Sequence, residues 1–178
     1  MDGPEFRARG HELIDWIADH LEGLERLPVA PAVQPGDVRA TLPAHPPAAP
    51  EPWEAVRRDL DEVIVPGIVH WQHPSFFAYF PANSSYAAIL GELLSAGLGV
   101  NGFSWMTSPA CTELELRVVD WMAELLDLPA RFYNTSEAGG VVIEGTASEA
   151  TLVAVLSARW RATGAAVNSD GDTSRLVA

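Results

Sequence analysis

Residues 141–150 combine the residue types with which a backbone binds an anion. A β-branched run, Val141–Ile143, leads into Gly145, and the hydroxyl residues Thr146 and Ser148 open a helical pattern. The first amides of a helix lack an acceptor within the helix, and the helix dipole favours negative charge there. Strand, glycine, hydroxyls and helix in this order predict a phosphate site; the alternative is that Thr146 and Ser148 only cap the helix. The segment has neither a Walker loop nor a dinucleotide fingerprint, so the phosphate of a small cofactor fits better than a nucleotide.

The run from Pro66 to Pro81 carries five aromatic side chains in a segment that prolines interrupt. The aromatic residues are Trp71, Phe76, Phe77, Tyr79 and Phe80. No steady helical or strand period survives Pro74 and Pro81. Aromatic area is costly to leave in water, and an irregular backbone is costly to bury. The run therefore predicts a loop that lines a pocket for a flat, apolar ligand, with a loop that plugs a core as the alternative.

Other residues capable of chemistry lack the partners they need. His70 and His73 form a His-x-x-His pair, but no nearby acidic residue or cysteine completes a ligand set, so we predict no metal site. Cys111 is the single cysteine and lies in a helical pattern with no adjacent base, which argues against a nucleophile and excludes an internal disulfide. Spacing alone identifies no Ser–His–Asp arrangement.

Composition excludes several classes of partner. The chain has 24 acidic residues against 11 basic ones, all of them arginines, and its formal net charge is −13. Nucleic acids and anionic membranes bind through cationic side chains, so neither is expected as a partner. The N-terminus lacks the apolar stretch of a signal peptide, and no run of about 18 apolar residues occurs. We therefore predict a cytoplasmic chain that does not span a membrane.

The first 65 residues are predicted to form an arm of two helices around a proline-rich segment. Residues 1–24 carry an apolar stripe at helical spacing. The stripe consists of Phe6, Leu13, Ile14, Ile17, Leu21 and Leu24. Eight of the 14 prolines lie between Pro28 and Pro52 and predict an extended segment that drapes across another surface. A second helix runs from about Pro52 to Ile64. The arm packs on this chain or on a second copy, or else forms an ordinary helical layer of its own domain.

Residues 84–164 are predicted to contain three more helices. Ser84 or Ser85 caps the first, which runs to Leu98, while Ser108 and Pro109 begin the second. The second helix is expected to bury an apolar stripe and to leave its acidic residues on a solvated face. The stripe is Leu114, Val118, Trp121, Met122 and Leu125, and the acidic residues are Glu113, Glu115, Asp120 and Glu124. The third helix follows Gly145.

Blocks along nearly the whole chain resemble the N-terminal part of the pyridoxal-phosphate-dependent aromatic L-amino acid decarboxylases, the group II decarboxylases, in the family order. The blocks are Glu5-Phe6-Arg7-x-Arg9-Gly10, Pro66-Gly67, His70-Trp71, Phe76-Phe77-Ala78-Tyr79-Phe80-Pro81, Ser84-Ser85-Tyr86, Gly102-Phe103-Ser104-Trp105, Ser108-Pro109-Ala110-Cys111-Thr112-Glu113-Leu114-Glu115 and Gly145-x-Ala147-Ser148-Glu149-Ala150-Thr151-Leu152. The resemblance implies an α/β protein, the N-terminal portion of an aspartate-aminotransferase-like (type I) fold with a helical extension, this segment being mostly helical. It also implies that residues 1–85 form a dimer-clasping arm with the aromatic loop, and that residues 86–178 begin the large cofactor-binding domain.

The resemblance assigns the site residues in three groups. Thr146, Ala147 and Ser148 match positions that hold the phosphate of pyridoxal 5'-phosphate. The residues that match the substrate pocket are Trp71, Tyr79, Phe80, Pro81 and Ala82. Asn101 and Phe103 match residues that reach into the partner subunit's site, which implies a homodimer with shared active sites. Ala82 and Asn101 depart from the common family residues, so the departures affect side-chain preference and leave the cofactor positions intact.

The implied activity is the decarboxylation of an aromatic L-amino acid to its amine and CO2 by the complete enzyme. Family members that act on non-aromatic amino acids or form an aldehyde are near alternatives, and a non-catalytic helical dimerisation module is an alternative of another class. In this family the lysine that binds the cofactor lies beyond the position of Ala178. The chain contains no lysine, so we expect it to be an N-terminal fragment with no catalytic residue of its own and no activity alone.

Overall fold

A computed structural model of the chain describes residues 1–80, 84–137, 139–164, 168 and 171. Helices are the only regular secondary structure within these ranges. The α-helices are α1 (Gly3–Glu22), α2 (Asp37–Thr41), α3 (Trp53–Asp59), α4 (Tyr86–Leu98), α5 (Pro109–Leu125) and α6 (Ala147–Thr163). A π-helical turn, Leu60–Ile64, and a 3-10 turn, Val65–Gly67, extend α3, and further 3-10 turns occur at Leu24–Arg26 and Ala130–Phe132. The prediction of a mostly helical segment is confirmed.

The chain packs as two units, residues 1–93 and residues 94–178. This division follows packing, whereas the predicted boundary after residue 85 is a division by role and stays a prediction. The predicted extent of the second helix, from about Pro52 to Ile64, is confirmed by α3 and its π-helical turn.

Local capping signals set the helix starts. Asp2 caps α1 by accepting a hydrogen bond from the Glu5 amide at 2.9 Å. The Ser85 hydroxyl accepts from the Ala88 amide at 3.2 Å, which confirms the capping prediction for α4. Pro109 occupies the first turn of α5 as predicted, but the Ser108 hydroxyl makes no capping hydrogen bond. That part of the prediction is wrong.

The proline-rich segment lies across the first unit, as predicted. The Val29 carbonyl accepts a hydrogen bond from the His70 amide at 3.0 Å. A Cβ on Gly67 would lie only 2.9 Å from Val38 Cγ2, so the close packing of α2 on the end of the second helix requires glycine there. The short helix α2 itself was not expected from the proline content.

Two indole–carboxylate hydrogen bonds join α1 to the second helix. Trp16 Nε1 on α1 donates to Asp61 Oδ1 at 2.8 Å, and Trp53 Nε1 on α3 donates back to Glu12 Oε2 at 2.9 Å. Each bond satisfies the one polar atom of a large ring, so both tryptophans pack between the helices without an unpaired donor.

Two arginines complete this network. The Arg57 guanidinium lies 5.1 Å from the Trp16 ring centroid and forms a 2.9 Å ion pair with Asp61. Arg9 lies 5.8 Å from the Trp53 ring centroid and pairs with Glu54 at 2.8 Å. The Arg9–Glu54 ion pair and the two cation–π contacts therefore join α1 to the second helix, whereas the Arg57–Asp61 pair lies within the second helix and orients Arg57.

Two predictions that rest on apolar patterns, the buried stripe of α5 and the strand over Val141–Ile143, are wrong in the described residues. Val119 and Ala123 are the buried side chains of α5. Four members of the predicted stripe are exposed, namely Leu114, Trp121, Met122 and Leu125. The buried residues each lie one position after a residue of the predicted stripe. Helical periodicity shows that one side of the helix is apolar, but it does not show which part of that side contacts a neighbour.

No strand forms over Val141–Ile143, so that prediction is also wrong. The Ile143 amide donates to Glu115 Oε1 at 3.1 Å, and the Val141 carbonyl accepts from Asn134 Nδ2 at 3.4 Å. A strand needs a neighbouring strand for its ladder, and in the described part of the chain side chains take those hydrogen bonds instead.

Asp61 gives a test of the helix network. The hydrogen bond from Arg57 is the main cause that lowers the pKa of Asp61 below its ordinary value of 3.8; burial opposes it, and the Trp16 hydrogen bond adds to the lowering. Asp61→Asn should lower the free energy of unfolding at pH 7 by about 0.5–1 kcal/mol, since the carboxylate is half exposed. A lowered folded-state pKa stabilises above pH 3.8, so the difference should vanish as the pH falls through the lowered value. Urea unfolding of both proteins measures it.

Asp15→Asn, an exposed carboxylate on α1, is the matched control and should change the free energy of unfolding little. A pH-independent difference for Asp61→Asn would show that its charge is irrelevant to the network.

Candidate functional site

The aromatic loop, residues 66–80, gathers three rings. The Trp71 ring stacks on Tyr79 with a centroid distance of 5.7 Å and an interplanar angle of 19°, and it meets Phe76 at 5.1 Å and 32°. The structure therefore brings together two of the predicted substrate residues, Trp71 and Tyr79. Phe80 follows with its ring fully exposed, and the predicted residues Pro81 and Ala82 lie outside the described residues.

The end of the loop lies outside the core of its own unit. Phe77, Tyr79 and Phe80 are 92%, 81% and 100% exposed, so these three rings do not plug that core. Tyr79 has a φ of 57°, a left-handed conformation that costs energy in a residue with a Cβ. Such strain is found where surrounding structure holds a side chain for ligand contact.

Turns within the loop hold this shape. The His73 amide donates to the His70 carbonyl at 3.0 Å, and the Phe76 amide donates to the His73 carbonyl at 2.9 Å. The Ser75 amide also donates to His73 Nδ1 at 2.9 Å. His73 is thus a structural acceptor inside the loop, and it fixes the position of Phe76 against Trp71.

A second predicted group, Asn101 and Phe103, forms a tight turn in the second unit. The Phe103 amide donates to Asn101 Oδ1 at 3.3 Å, which is an Asx turn, and the Phe103 ring is 77% exposed. Trp105 Nε1 donates to Glu113 Oε1 on α5 at 3.0 Å and anchors the end of the turn. The turn therefore presents an aromatic ring outward from a fixed base.

The third group begins α6. Thr146 is the N-cap, and its Oγ1 accepts from the Glu149 amide at 3.1 Å, while Glu149 Oε2 accepts from the Gly145 amide at 3.2 Å. The capping alternative is thus observed for Thr146, but a hydroxyl that accepts one hydrogen bond keeps its proton for donation. The amides of Ala147 and Ser148 have no acceptor within the helix. Together with the exposed Ser148 hydroxyl, this turn has the donors to hold a small anion.

The acidic face of α5 supports the segment that leads to this turn. Asp120 Oδ1 accepts from the Asn134 amide at 2.7 Å and from Asn134 Nδ2 at 3.2 Å. A Cβ on Gly140 would lie 2.5 Å from Asn134 Oδ1, so a side chain there would collide with the amide group. Glu115 Oε1 likewise accepts a hydrogen bond from the Ile143 amide, at 3.1 Å.

The prediction of a solvated acidic face is therefore wrong for Glu115 and Asp120, whereas Glu113 is exposed and also bonds Trp105. Sequence reasoning missed their role and that of Asn134, because a charged helix face looks alike whether it meets solvent or backbone amides. The available signal was Gly139-Gly140 after Asn134, which indicates a close backbone approach.

The described residues contain neither a metal-binding cluster nor a membrane-spanning helix. Within residues 1–80, 84–137 and 139–164, no cluster of three or more His, Cys, Asp or Glu side chains could hold a metal ion. No helix in the same part of the chain has the length and apolar character needed to cross a membrane.

Comparison with known proteins identifies the family. The model of the pyridoxal-dependent decarboxylase conserved domain matches residues 35–177. Rat aromatic-L-amino-acid decarboxylase is 52% identical over 162 residues, which cover 90% of this chain and 34% of the rat protein. Arabidopsis thaliana phenylacetaldehyde synthase is 52% identical over 159 residues, covering 89% of this chain and 32% of the relative. The chain belongs to the pyridoxal-dependent decarboxylase family and spans about a third of the length of the curated relatives it matches.

The fold matches solved structures of the same family. The crystal structure of Catharanthus roseus tryptophan decarboxylase in complex with L-tryptophan superposes with a TM-score of 0.86 at 42% identity, covering 96% of this chain and 36% of that protein. The predicted N-terminal portion of an aspartate-aminotransferase-like fold is thereby confirmed, although no strand occurs among the described residues.

Asp120 tests whether the α5 face supports the segment before α6. Asp120→Ala removes a charged acceptor of two hydrogen bonds from Asn134 and should lower the free energy of unfolding by about 1.5–3 kcal/mol. Glu124→Ala, on the next turn of α5 and exposed, is the matched control and should cost less than about 0.5 kcal/mol. Equal losses in urea unfolding would show that the Asp120–Asn134 bonds carry no stability.

Proposed function

We propose that the complete protein, of which this chain is the N-terminal part, is a pyridoxal-phosphate-dependent decarboxylase of aromatic L-amino acids that releases an amine and CO2. The observation that carries the proposal is the aromatic cluster of Trp71, Phe76 and Tyr79 in a loop whose rings face solvent. The named activities of the rat and Catharanthus roseus relatives, both aromatic, support it.

The chemistry of the aromatic loop favours a flat, uncharged side chain. Residues 66–80 contain five aromatic residues and no arginine or lysine. A glutamate-like substrate would need a fixed cation for its second carboxylate, whereas an aromatic ring gains contact area and favourable ring geometry against Trp71 and Tyr79. Phe80, Pro81 and Ala82 complete the proposed substrate surface.

The start of α6 fits the phosphate of the cofactor. Its free donors are the amides of Ala147 and Ser148 and the hydroxyls of Thr146 and Ser148. The Gly145 amide donates to Glu149 Oε2 within the same turn, so the backbone amides here are already arranged to meet an anionic oxygen, which supports the proposal. Bound pyridoxal phosphate supplies an electron-withdrawing ring that takes up the electron pair left when CO2 departs. The residues of this chain bind its phosphate and orient the substrate ring.

We also propose a homodimer in which Asn101 and Phe103 reach the partner subunit's site. The exposed Phe103 ring on its Asx turn suits such a contact. An apolar groove of about 480 Å³, lined by residues of α1, by Trp53 and by the start of α4, offers the arm a surface for a second copy. A cytoplasmic location stays a prediction.

An aldehyde-forming reaction is the second candidate. It is favoured by the 52% identity to the Arabidopsis thaliana phenylacetaldehyde synthase, which equals the identity to the rat decarboxylase. Both candidates need a lysine that this chain does not contain, so the chain by itself should release no CO2 from any amino acid. A non-catalytic dimerisation module is the alternative if the complete protein also lacks activity.

The function is tested by assaying the complete protein with pyridoxal phosphate on L-tryptophan, L-tyrosine and L-glutamate. We expect CO2 and amine from an aromatic substrate, and Phe80→Ala should lower kcat/KM for it about 10- to 100-fold through lost ring contact. Phe77→Ala, an equally exposed ring of the same loop, is the matched control and should change kcat/KM less than threefold.

Aldehyde in place of amine would select the second candidate. Faster turnover of L-glutamate than of any aromatic substrate, or equal losses for the Phe77 and Phe80 variants, would overturn the aromatic assignment.

Ser148 tests the cofactor site. Ser148→Ala removes a hydroxyl donor to a doubly charged group, a bond worth about 1.5–3 kcal/mol, and should raise the Kd for pyridoxal phosphate about 10- to 100-fold. Ser157→Ala, exposed further along α6, should leave the Kd unchanged. Equilibrium binding to the complete protein measures both. An unchanged Kd for Ser148→Ala would mean that the α6 start is only a cap.

A further inference from the structure

An ionisable ring occupies one of the most buried places in the first unit. Among the described residues of that unit, Leu24 and His70 are the fully buried side chains, with 6% and 5% of their surface exposed. A histidine is a costly choice for such a place, because burial disfavours its charged form. Neither the cofactor site nor the substrate surface described above uses His70.

A chain of ring contacts, called the ring stack below, connects His70 to both helices of the arm. The His20 ring on α1 lies 5.5 Å from the His70 ring at a tilt of 46°, and the Trp16 ring stacks on His20 at 5.0 Å and 12°. Arg57 on α3 lies 5.1 Å from the Trp16 ring centroid. The stack therefore runs from α3 through α1 to the aromatic loop.

The backbone of His70 fastens the loop that bears Trp71. Its amide donates to the Val29 carbonyl at 3.0 Å, and its carbonyl accepts from the His73 amide at 3.0 Å. Trp71 follows directly and stacks on Tyr79. Any movement of His70 out of its buried place must therefore shift the rings that form the proposed substrate surface.

Resting on the proposed function, we propose that neutral His70 is a positioning residue for the aromatic loop and that its protonation releases the loop, so that Trp71 and Tyr79 no longer hold the substrate ring. On this proposal His70 acts through the loop and not on the reacting atoms. The effect should therefore fall on KM for the substrate and leave kcat nearly unchanged.

The charges around the ring set the direction of the pH dependence. Burial lowers the pKa of His70 below its ordinary value of 6.5, and repulsion from the neighbouring imidazoles of His20 on α1 and His73 in the loop, when these carry charge, lowers it further. Arg57 and Asp61 face His20 across Trp16, and the proline-rich segment contributes the uncharged Val29 carbonyl. The His70 ring in its buried place therefore takes up a proton less readily than the same ring exposed to solvent. The buried position is unaffected above pH 6.5, the pKa of the exposed ring, and is lost progressively as the pH falls below that value.

The test measures KM and kcat of the complete enzyme with its best aromatic substrate from pH 7.5 to pH 5.5. Wild-type KM should rise below pH 6.5 by up to about tenfold per pH unit, the limit for one proton. His70→Gln, which is neutral throughout, should remove most of this rise. His45→Gln, an exposed histidine of the proline-rich segment, is the matched control and should keep the wild-type profile.

A second variant tests the proposal in case His70→Gln does not fold, and a second measurement tests it without using enzyme activity. His20→Phe keeps a ring in the stack and removes one repelling charge, so the wild-type rise in KM should shrink. Hydrogen exchange of residues 66–80, corrected for intrinsic pH effects with the free peptide, should show lost protection below pH 6.5 in the wild type but not in His70→Gln.

Two results would overturn the proposal. One is a KM profile that is the same in the wild type and both stack variants, and the other is loop exchange that does not depend on pH. If no aromatic amino acid is turned over, the proposed function fails, while the exchange measurement still decides the role of His70.

Discussion

Carboxylates on one face of α5 hydrogen-bond the backbone that leads to the candidate cofactor turn, and the turn depends on this constraint. Asp120 accepts from Asn134, Asn134 in turn donates to the Val141 carbonyl, and Glu115 accepts from the Ile143 amide. Three residues after Ile143 the chain enters the Thr146 cap of α6. Side chains thus take hydrogen bonds here that a neighbouring strand would take in a sheet. The position of the α6 N-terminus follows from these bonds.

Directional side-chain contacts also hold the first unit together, and there they involve aromatic rings. Indole–carboxylate hydrogen bonds and arginine contacts link α1 to α3, and the ring stack from Trp16 to His70 carries that link to the aromatic loop. Few side chains in the described part of this unit are fully buried, so directional contacts rather than core burial fix its geometry. A substrate surface made of exposed rings can be positioned accurately on such a base, because its anchors are hydrogen-bonded and not merely apolar.

Local signals made the helices predictable, whereas contacts distant in sequence were not. The Ser85 cap, Pro109 and the Thr146 start are determined within a few residues, and each was predicted in place. The strand over Val141–Ile143 failed because its pattern requires a partner strand that the described residues do not supply. The α5 stripe failed because helical periodicity cannot say which edge meets a neighbour. The family motifs gave the site residues, and the roles of Thr146, Phe80 and Phe103 stay predictions.

We propose that the amides and hydroxyls at the start of α6 hold the phosphate of pyridoxal phosphate. A crystal structure of the complete protein with pyridoxal phosphate is the decisive measurement, because it locates the phosphate relative to one helix. We expect phosphate oxygens within hydrogen-bond distance of the Ala147 and Ser148 amides and of the Ser148 hydroxyl. A phosphate bound elsewhere, with Glu149 still the only anion at this turn, would contradict it.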